Sequence, residues 1–246
     1  MNERQKSILD LLGRDRKIKV NELAERLDVS AVTIRQDLSF LEGEGLLKRV
    51  HGAAVLAQTD DLENRLGVNF ELKQRIAARV AEQVQDGETI LVESGSVNVL
   101  LARELAKKRV TLLTTNVYIA RQFRKGDRMN TILLGGSYQP DSESLVGSMT
   151  RACIDQVNIH KAFIGIDGFA IDTGFSSRDM FRAEISAYIV EKSREVYVVS
   201  DASKFGRTEM SRICGAGDIA CLVTDQSLPA LYRAHFETLG VELILA

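Results

Sequence analysis

Beyond residue 86 the sequence repeats one alternation: a short apolar run of strand length, a polar cluster, then a stretch with helical spacing. The runs are Thr89-Ile90-Leu91-Val92, Val110-Thr111-Leu112-Leu113, Thr131-Ile132-Leu133-Leu134, Ala162-Phe163-Ile164-Gly165-Ile166, Glu195 to Ser200, Ala220-Cys221-Leu222-Val223 and Val241 to Leu245. Runs that are apolar almost throughout, rather than alternating, belong to strands buried on both faces, and the helical segments between them supply the cover. The pattern predicts an α/β domain with a mostly parallel sheet. In such sheets a ligand sits outside the carboxyl ends of the strands, near a switch in strand order.

Polar clusters follow five of these runs. Glu93-Ser94-Gly95-Ser96 comes after the first, Thr114-Thr115-Asn116 after the second, Gly135-Gly136-Ser137 after the third, Asp167-Gly168 after the fourth and Asp201-Ala202-Ser203-Lys204 after the fifth. Ser94-Gly95-Ser96 leads into a helix expected over Val97 to Ala106, so its hydroxyls, free backbone N–H groups and the positive end of the helix dipole suit a phosphate. Gly135-Gly136 permits close backbone approach, and Lys204 adds a point charge. Taken singly, each cluster is more often turn chemistry or a helix cap; recurrence at five strand ends is what points to an anion site. Neither a Walker lysine motif nor GxGxxG is present, which weighs against ATP and NAD.

A further helix is expected from about Arg178 to Ser193, with Glu184 on its second turn as an acceptor for ligand hydroxyls. The plain alternative for Glu184 is an exposed carboxylate facing Tyr188 at i+4. The stretch SDASKFGR, residues 200 to 207, reads either as an Asp201 and Lys204 catalytic pair or as a holder of ligand.

The first 56 residues have a different texture. Asn2 to Gly13 carries Ile8, Leu9 and Leu12 at helical spacing. After Lys17-Ile18-Lys19-Val20, Asn21 is placed to cap a second short helix with Leu23, Ala24 and Leu27 inward; Asp28-Val29 is the turn; Ser30 can cap a third helix with a stripe of Ile34, Leu38 and Leu41. Its opposite side presents Val32, Gln36 and Ser39, flanked by Thr33, Arg35 and Phe40. Gly43 and Gly45 end that helix, and Leu46 to Val55 can form a β-hairpin. Together these make a winged helix-turn-helix, the helix-turn-helix itself at about residues 20 to 39. Gln36 can pair with an adenine edge and Arg35 with a guanine edge, with Ser39 on the same face; Ser30, Thr33, Lys48, Arg49 and His51 suit phosphates or a minor groove. The alternative for Arg35 is a surface ion pair with Asp37 or Glu42.

Composition constrains the chain less. Net charge is −2, and residues 1 to 56 hold ten Lys and Arg against nine Asp and Glu, so any case for DNA rests on arrangement rather than bulk charge. Cys153, Cys214 and Cys221 are odd in number and lie in no metal-ligand spacing, which predicts reduced thiols and no metal site. The segment MNERQKSILDLLGRDRK is charged from its third residue and no apolar run reaches about 18 residues, so a cytoplasmic protein without a membrane partner is expected. The expected domains are 1–57 and 73–246, joined by a polar linker over 58–72.

The run VNELAERLDVSAVTIRQDLSFLEGEGLLKRVHGAAV, residues 20 to 55, resembles the winged helix-turn-helix of the DeoR family of bacterial transcriptional regulators. It matches the signature VS..TIR.DL..LE..G...R.HGGA from Val29-Ser30 through Thr33-Ile34-Arg35 and Asp37-Leu38 to His51-Gly52, with Ala53 in place of the second glycine. DGETILVESGS (86 to 96), LLTTN (112 to 116), ILLGG (132 to 136), SLVGSMT (144 to 150), KAFIGIDGF (161 to 169), TGFSS (173 to 177), SDASKFGR (200 to 207) and LVTD (222 to 225) resemble, in order, that family's C-terminal sensor domain. That domain is Rossmann-like and related in fold to ribose-5-phosphate isomerase.

The resemblance implies phosphate contacts at Ser94, Gly95 and Ser96, with Asn116, Gly135, Gly136, Asp167, Glu184, Asp201 and Lys204 lining a sugar site. Glu93 stands where the family usually has Asp, and Val97-Asn98 where it usually has threonines. The function it implies is a repressor of a carbohydrate catabolic operon that binds double-stranded operator DNA as a homo-oligomer, dimer or tetramer, and answers to a phosphorylated sugar effector, with no cofactor and no catalysis. Two alternatives stand beside it. In one, a sugar-phosphate isomerase uses a carboxylate such as Glu184 to move a proton and Lys204 to stabilise an enediolate; in the other, the protein binds DNA without sequence preference.

Overall fold

The structure, a computed structural model, describes residues 1–15, 17–43, 46–50, 52–56, 62–123 and 127–246; of Arg14, Lys48, Leu56, Glu63 and Asn64 it describes the backbone alone. The Lys48 side chain, His51, Gly45 and the start of the expected linker lie outside the described residues. The chain divides into two compact units, Met1–Glu71 and Leu72–Ala246.

In the first unit α1 (Glu3–Asp15) opens on a reciprocal cap. The Asn2 side chain accepts the Gln5 backbone N–H and the Gln5 side chain accepts the Asn2 N–H, each at 2.9 Å. A short strand not expected from the sequence, β1 (Lys17–Lys19), runs directly into α2 (Val20–Arg26). Asn21 therefore does not cap α2. Lys19 is the boundary residue, and the Val20 N–H bonds Gly52 O at 3.0 Å, so the chain enters the helix off a strand ladder with that donor already satisfied. Asp28, at φ 50°, makes the turn, and Ser30 Oγ caps α3 (Ala31–Gly43) by accepting the Thr33 N–H at 3.1 Å.

The hairpin of β2 (Leu47–Val50) and β3 (Ala53–Leu56) adds to β1 in the order β1-β3-β2. Ala53 is the first residue of β3, buried opposite Val50 and Lys19. An extended position does not need glycine, and the turn's positive φ falls on Gly52, at 76°. Ile8, Leu9, Leu12, Leu23, Ile34, Leu38 and Leu41 meet in one core, each worth about 1.5–3 kcal/mol on burial. The middle of the expected linker is also structured: α4 (Leu62–Gly67) buries Leu62 and Leu66, and a Cβ at Gly67 would stand 2.8 Å from Leu9 Cδ1. Two leucines one turn apart in a polar surround are too weak a stripe to read as a helix from sequence.

After α5 (Phe70–Glu82) come β4 (Thr89–Val92), α6 (Ser96–Leu105), β5 (Thr111–Thr114), α7 (Val117–Ala120) and β6 (Asn130–Leu133). They are followed by β7 (Ser137–Gln139), β8 (Ser144–Val146), α8 (Ser148–Ile154), β9 (Lys161–Ile164), β10 (Gly168–Ala170), β11 (Gly174–Ser177) and α9 (Met180–Lys192). The chain closes with β12 (Glu195–Val199), β13 (Ser211–Cys214), β14 (Cys221–Thr224), α10 (Ala230–Thr238) and β15 (Glu242–Leu245). The seven expected strands form one parallel sheet in the order β15-β14-β12-β9-β4-β5-β6. Two small antiparallel sheets, β7-β8 and β10-β11-β13, are additional to the sequence reading. The second encloses an aromatic cluster in which the Phe169 ring lies 4.6 Å from Phe175, 5.4 Å from Phe205 and 5.1 Å from Phe236 between centroids.

Strand order reverses between β4 and β9, and there two backbones press together. A Cβ at Gly165 would stand 2.6 Å from Ser94 O and 3.5 Å from Gly95 Cα. Asn98, fully buried, ties the same junction: Nδ2 donates to Glu93 O at 2.9 Å and to Phe163 O at 3.1 Å. Glu93 Oε2 accepts the Gly165 N–H at 3.2 Å. Gly165→Ala is expected to force these loops apart and to destabilise the second unit by roughly 1–3 kcal/mol, seen as a lower urea midpoint at unchanged slope.

Candidate functional site

On α3 of the first unit, the exposed face carries Val32, Arg35, Gln36, Ser39 and Phe40. The ion pairs open to Arg35 as an alternative are not formed. Asp37 is buried and takes Arg4 Nε at 2.5 Å and Gln5 Nε2 at 3.0 Å, while Glu42 takes the Arg49 backbone N–H at 2.9 Å and its Nε at 2.5 Å. Those bonds, the backbone one first, hold the Glu42 carboxyl below its ordinary pKa.

Other polar groups on this face are occupied too. The Ser30 and Thr33 hydroxyls bond each other at 2.8 Å, and Ser39 Oγ donates to Arg35 O at 2.8 Å and accepts from Arg49 at 2.9 Å. Arg35 and Gln36 keep uncommitted side-chain polar ends among the described residues. Four of the eight residues expected at DNA thus sit on or beside the face but are bonded locally, two are open, and the side chains of Lys48 and His51 lie outside the description.

In the second unit the strand ends converge on the β4/β9 reversal. Gly95, at φ 155°, precedes α6, and no side chain caps that helix, so the first-turn N–H groups of a ten-residue helix open there. Ser94 is buried beside it, and Asn116 Nδ2 donates to Ser94 Oγ at 3.3 Å and to Ser142 O at 2.9 Å. Asn116 Oδ1 caps α7 through the Ile119 N–H at 2.9 Å. Its amide is therefore a clasp between the β4 loop, the β7-β8 hairpin and α7. Gly136 is glycine because its own chain closes on it: a Cβ would stand 2.0 Å from Thr150 Oγ1 and 2.9 Å from Val146 O. Gly135 O accepts Thr150 Oγ1 at 2.8 Å.

Asp167, after β9, is a buried hub. Its Oδ2 accepts Ser177 Oγ at 3.1 Å, the Arg178 N–H at 3.1 Å and an Arg182 guanidinium N–H at 3.0 Å. The structure does not bring Glu184 to this cluster. Glu184 is exposed and ion-paired with Arg151 of α8 at 3.2 Å, while Tyr188, its alternative partner, bonds Asp155.

The stretch SDASKFGR is anchored from behind. Phe205 packs into the aromatic cluster, and the N–H groups of Gly206 and Arg207 both bond Phe169 O, at 2.9 and 3.2 Å. Asp201 Oδ1 accepts both the N–H and the hydroxyl of Ser203, closing the turn Ala202–Lys204. Asp225 Oδ2 accepts the Ala202 N–H at 2.7 Å. Burial works against the charge on Asp225, but the Ser227 hydroxyl and the N–H groups of Ala202 and Ser227 outweigh it and leave its pKa below the ordinary value. Lys204 is half-buried, with no partner among the described residues.

A family model described as a DeoR-like helix-turn-helix domain matches residues 4–60, and one described as the DeoR C terminal sensor domain matches residues 68–226. The chain belongs to the DeoR family. It is a DNA-binding transcriptional regulator with a sensor domain. HTH-type transcriptional regulator GolR of Listeria innocua is 32% identical over 250 residues, which cover 99% of this chain and 98% of GolR. Transcriptional repressor AccR of Agrobacterium fabrum is 29% identical over 250 residues, covering 99% and 97%. Among solved structures, ribose 5-phosphate isomerase from Plasmodium falciparum is similar at a TM-score of 0.38 and 18% identity, over 55% of this chain and 52% of that chain.

For this DeoR-family regulator the sequence did not single out Arg182, Ser142 or Asp225, and it marked Asn98 as a departure from the family pattern without giving it a role. Asn98 and Asp225 lie within or beside matched stretches; Arg182 lay two residues from the carboxylate that drew attention; Ser142 carried no signal. Among the described residues, no group of three or more His, Cys, Asp or Glu is arranged for a metal ion, and no helix is long and apolar enough to cross a membrane. Burial pushes the Cys214 and Cys221 thiols up to about 12, so neither is a ready nucleophile. Asp167→Ala leaves the Arg182 guanidinium buried beside a lost partner and is expected to cost about 3–5 kcal/mol. Glu184→Ala, which removes an exposed pair, is expected to cost about 1 kcal/mol or less; denaturant titration of both variants checks the contrast.

Proposed function

We propose that this regulator represses a carbohydrate-use operon and is released or retained at its operator by a phosphorylated sugar bound at the β4/β9 reversal. The observation that carries the proposal is the opening of α6. An uncapped helix N-terminus follows Gly95 where strand order reverses, and the half-buried cation Lys204 lies on the turn after β12, the strand next to β9. Backbone N–H groups and a lysine are a phosphate's partners, and the surrounding serine hydroxyls suit a sugar. In the first unit, α3 lies in the major groove with Arg35 and Gln36 at base edges, and Ser30, Thr33, Ser39, Lys48, Arg49 and His51 at or near the backbone. Operators read by one such module per protomer are two-fold repeats, so the working form is a dimer or tetramer.

Two carboxylates offer the isomerase alternative little support. Glu184 is exposed and paired with Arg151, and Asp167, the buried carboxylate after β9, is held by Ser177, Arg178 and Arg182. The sensor acts instead by binding its effector with different affinity in operator-bound and free states.

Thermal unfolding with a panel of phosphorylated sugars and their unphosphorylated counterparts tests the site. A cognate phosphosugar at 100 times its dissociation constant is expected to stabilise the native state by about 2.7 kcal/mol, and the sugar without phosphate far less. Lys204→Ala should lower that stabilisation while leaving effector-free DNA affinity unchanged; a panel with no stabilising phosphosugar rejects the proposal. On the DNA side, Gln36→Ala is expected to relax preference at an adenine, at a cost of about 1–3 kcal/mol, measured by competition between the operator and its single-base variants.

A further inference from the structure

Val32 is 61% exposed in the first turn of α3, one residue after the helix begins at Ala31. Positions 32, 35, 36 and 39 fall on one side of a helix, so this apolar side chain shares the face of Arg35 and Gln36. It adds nothing to the core, which Ile34, Leu38 and Leu41 fill from the opposite side, and a β-branched residue is a poorer helix former than alanine. Single exposed apolar residues are ordinary on protein surfaces. What distinguishes Val32 is its setting: the hydroxyls of Ser30 and Thr33 beside it bond each other, Ser39 is bonded to Arg35 O and Arg49, and Arg35 and Gln36 keep open side-chain ends among the described residues. The leading turn therefore offers a base pair one branched apolar contact beside a pair of hydroxyls already bonded to each other.

Residues at the N-terminal end of a recognition helix reach base edges. Of the four bases only thymine displays a methyl group in the major groove. We propose that Val32 is a specificity-determining residue that packs against the C5-methyl of a thymine adjoining the base pairs met by Arg35 and Gln36. The assignment rests on the DNA-reading role of α3 and adds to it the reading of a methyl group, which polar contacts do not sense.

The full-length protein is used to enrich duplexes from a randomised DNA pool at fixed salt. The enriched duplex is then remade with uracil in place of thymine, one position at a time, and affinities are measured by fluorescence anisotropy. Loss of one methyl in each of the two half-sites is expected to weaken binding about fifteenfold, the factor equivalent to about 0.8 kcal/mol for each of two buried methylene-sized groups. Val32→Ala should weaken binding to the thymine duplex by a similar factor and make it indifferent to uracil at that position. The substitution is on an exposed helical face, and an unchanged thermal midpoint confirms the fold. A methyl dependence that persists in Val32→Ala, or no position with such dependence, overturns the inference while leaving DNA reading by α3 intact. A pool from which no sequence is enriched overturns both.

Discussion

Parallel strands β4 and β9 lie side by side while the chain on either side of them runs off in opposite directions, and their loops meet so closely that residue 165 has no room for a Cβ beside Ser94 O. The rest of the second unit follows from that contact. It places the uncapped start of α6 at the centre of the sheet's carboxyl edge, with Asp167 on the loop after the adjoining β9 and the turn Ala202–Lys204 one strand further on, after β12. Asn98 bridges the two strand ends from within α6, so the helix cannot shift without disturbing both. A site that needs several loops held in fixed relation is best built where two halves of a sheet are joined by backbone contact.

Around that junction, hydrogen bonding separates groups that hold the fold from groups left open. Asn116, Asp167, Asp201 and Asp225 all sit at strand ends, and all are bonded to the protein's own backbone or side chains. Buried polar groups without partners are costly, so these residues have a structural reason to be polar whether or not a ligand is present. Among the described residues, Lys204 and the first turn of α6 have no such internal partner. Polarity at these four strand ends thus has a structural explanation of its own.

The first unit shows the same division. Ser30, Thr33, Ser39 and Arg49 stabilise the start of α3 and its junction with the hairpin, and Glu42 fixes Arg49 against the helix. Asp37, one residue after Gln36, turns inward to Arg4 and Gln5, which ties α1 to α3 and leaves Arg35 without an acidic partner among the described residues. A cation kept free in this way matters in a unit whose bulk charge is nearly balanced, because attraction to DNA then depends on where the charge is presented.

The sequence by itself determined the seven strands of the large sheet, since runs apolar on both faces have few other uses, and it determined the buried stripe of α3, since a spacing of three to four residues points to one side of a helix. It also carried the order of motifs from which the family is legible. It did not determine the small sheets, whose three- and four-residue strands such as Ser137–Gln139 and Gly174–Ser177 are too short and polar to show a period, nor the helix Leu62–Gly67. Only the tertiary structure decided which of Arg182 and Glu184 faces inward. Two residues apart on a helix lie about 200° apart around its axis, so nearness in sequence to the loop says nothing about direction, and the packing of α9 sent the arginine to Asp167 and the glutamate to solvent. That β4 adjoins β9, rather than some other strand, is likewise a long-range choice made by the packing of the whole sheet.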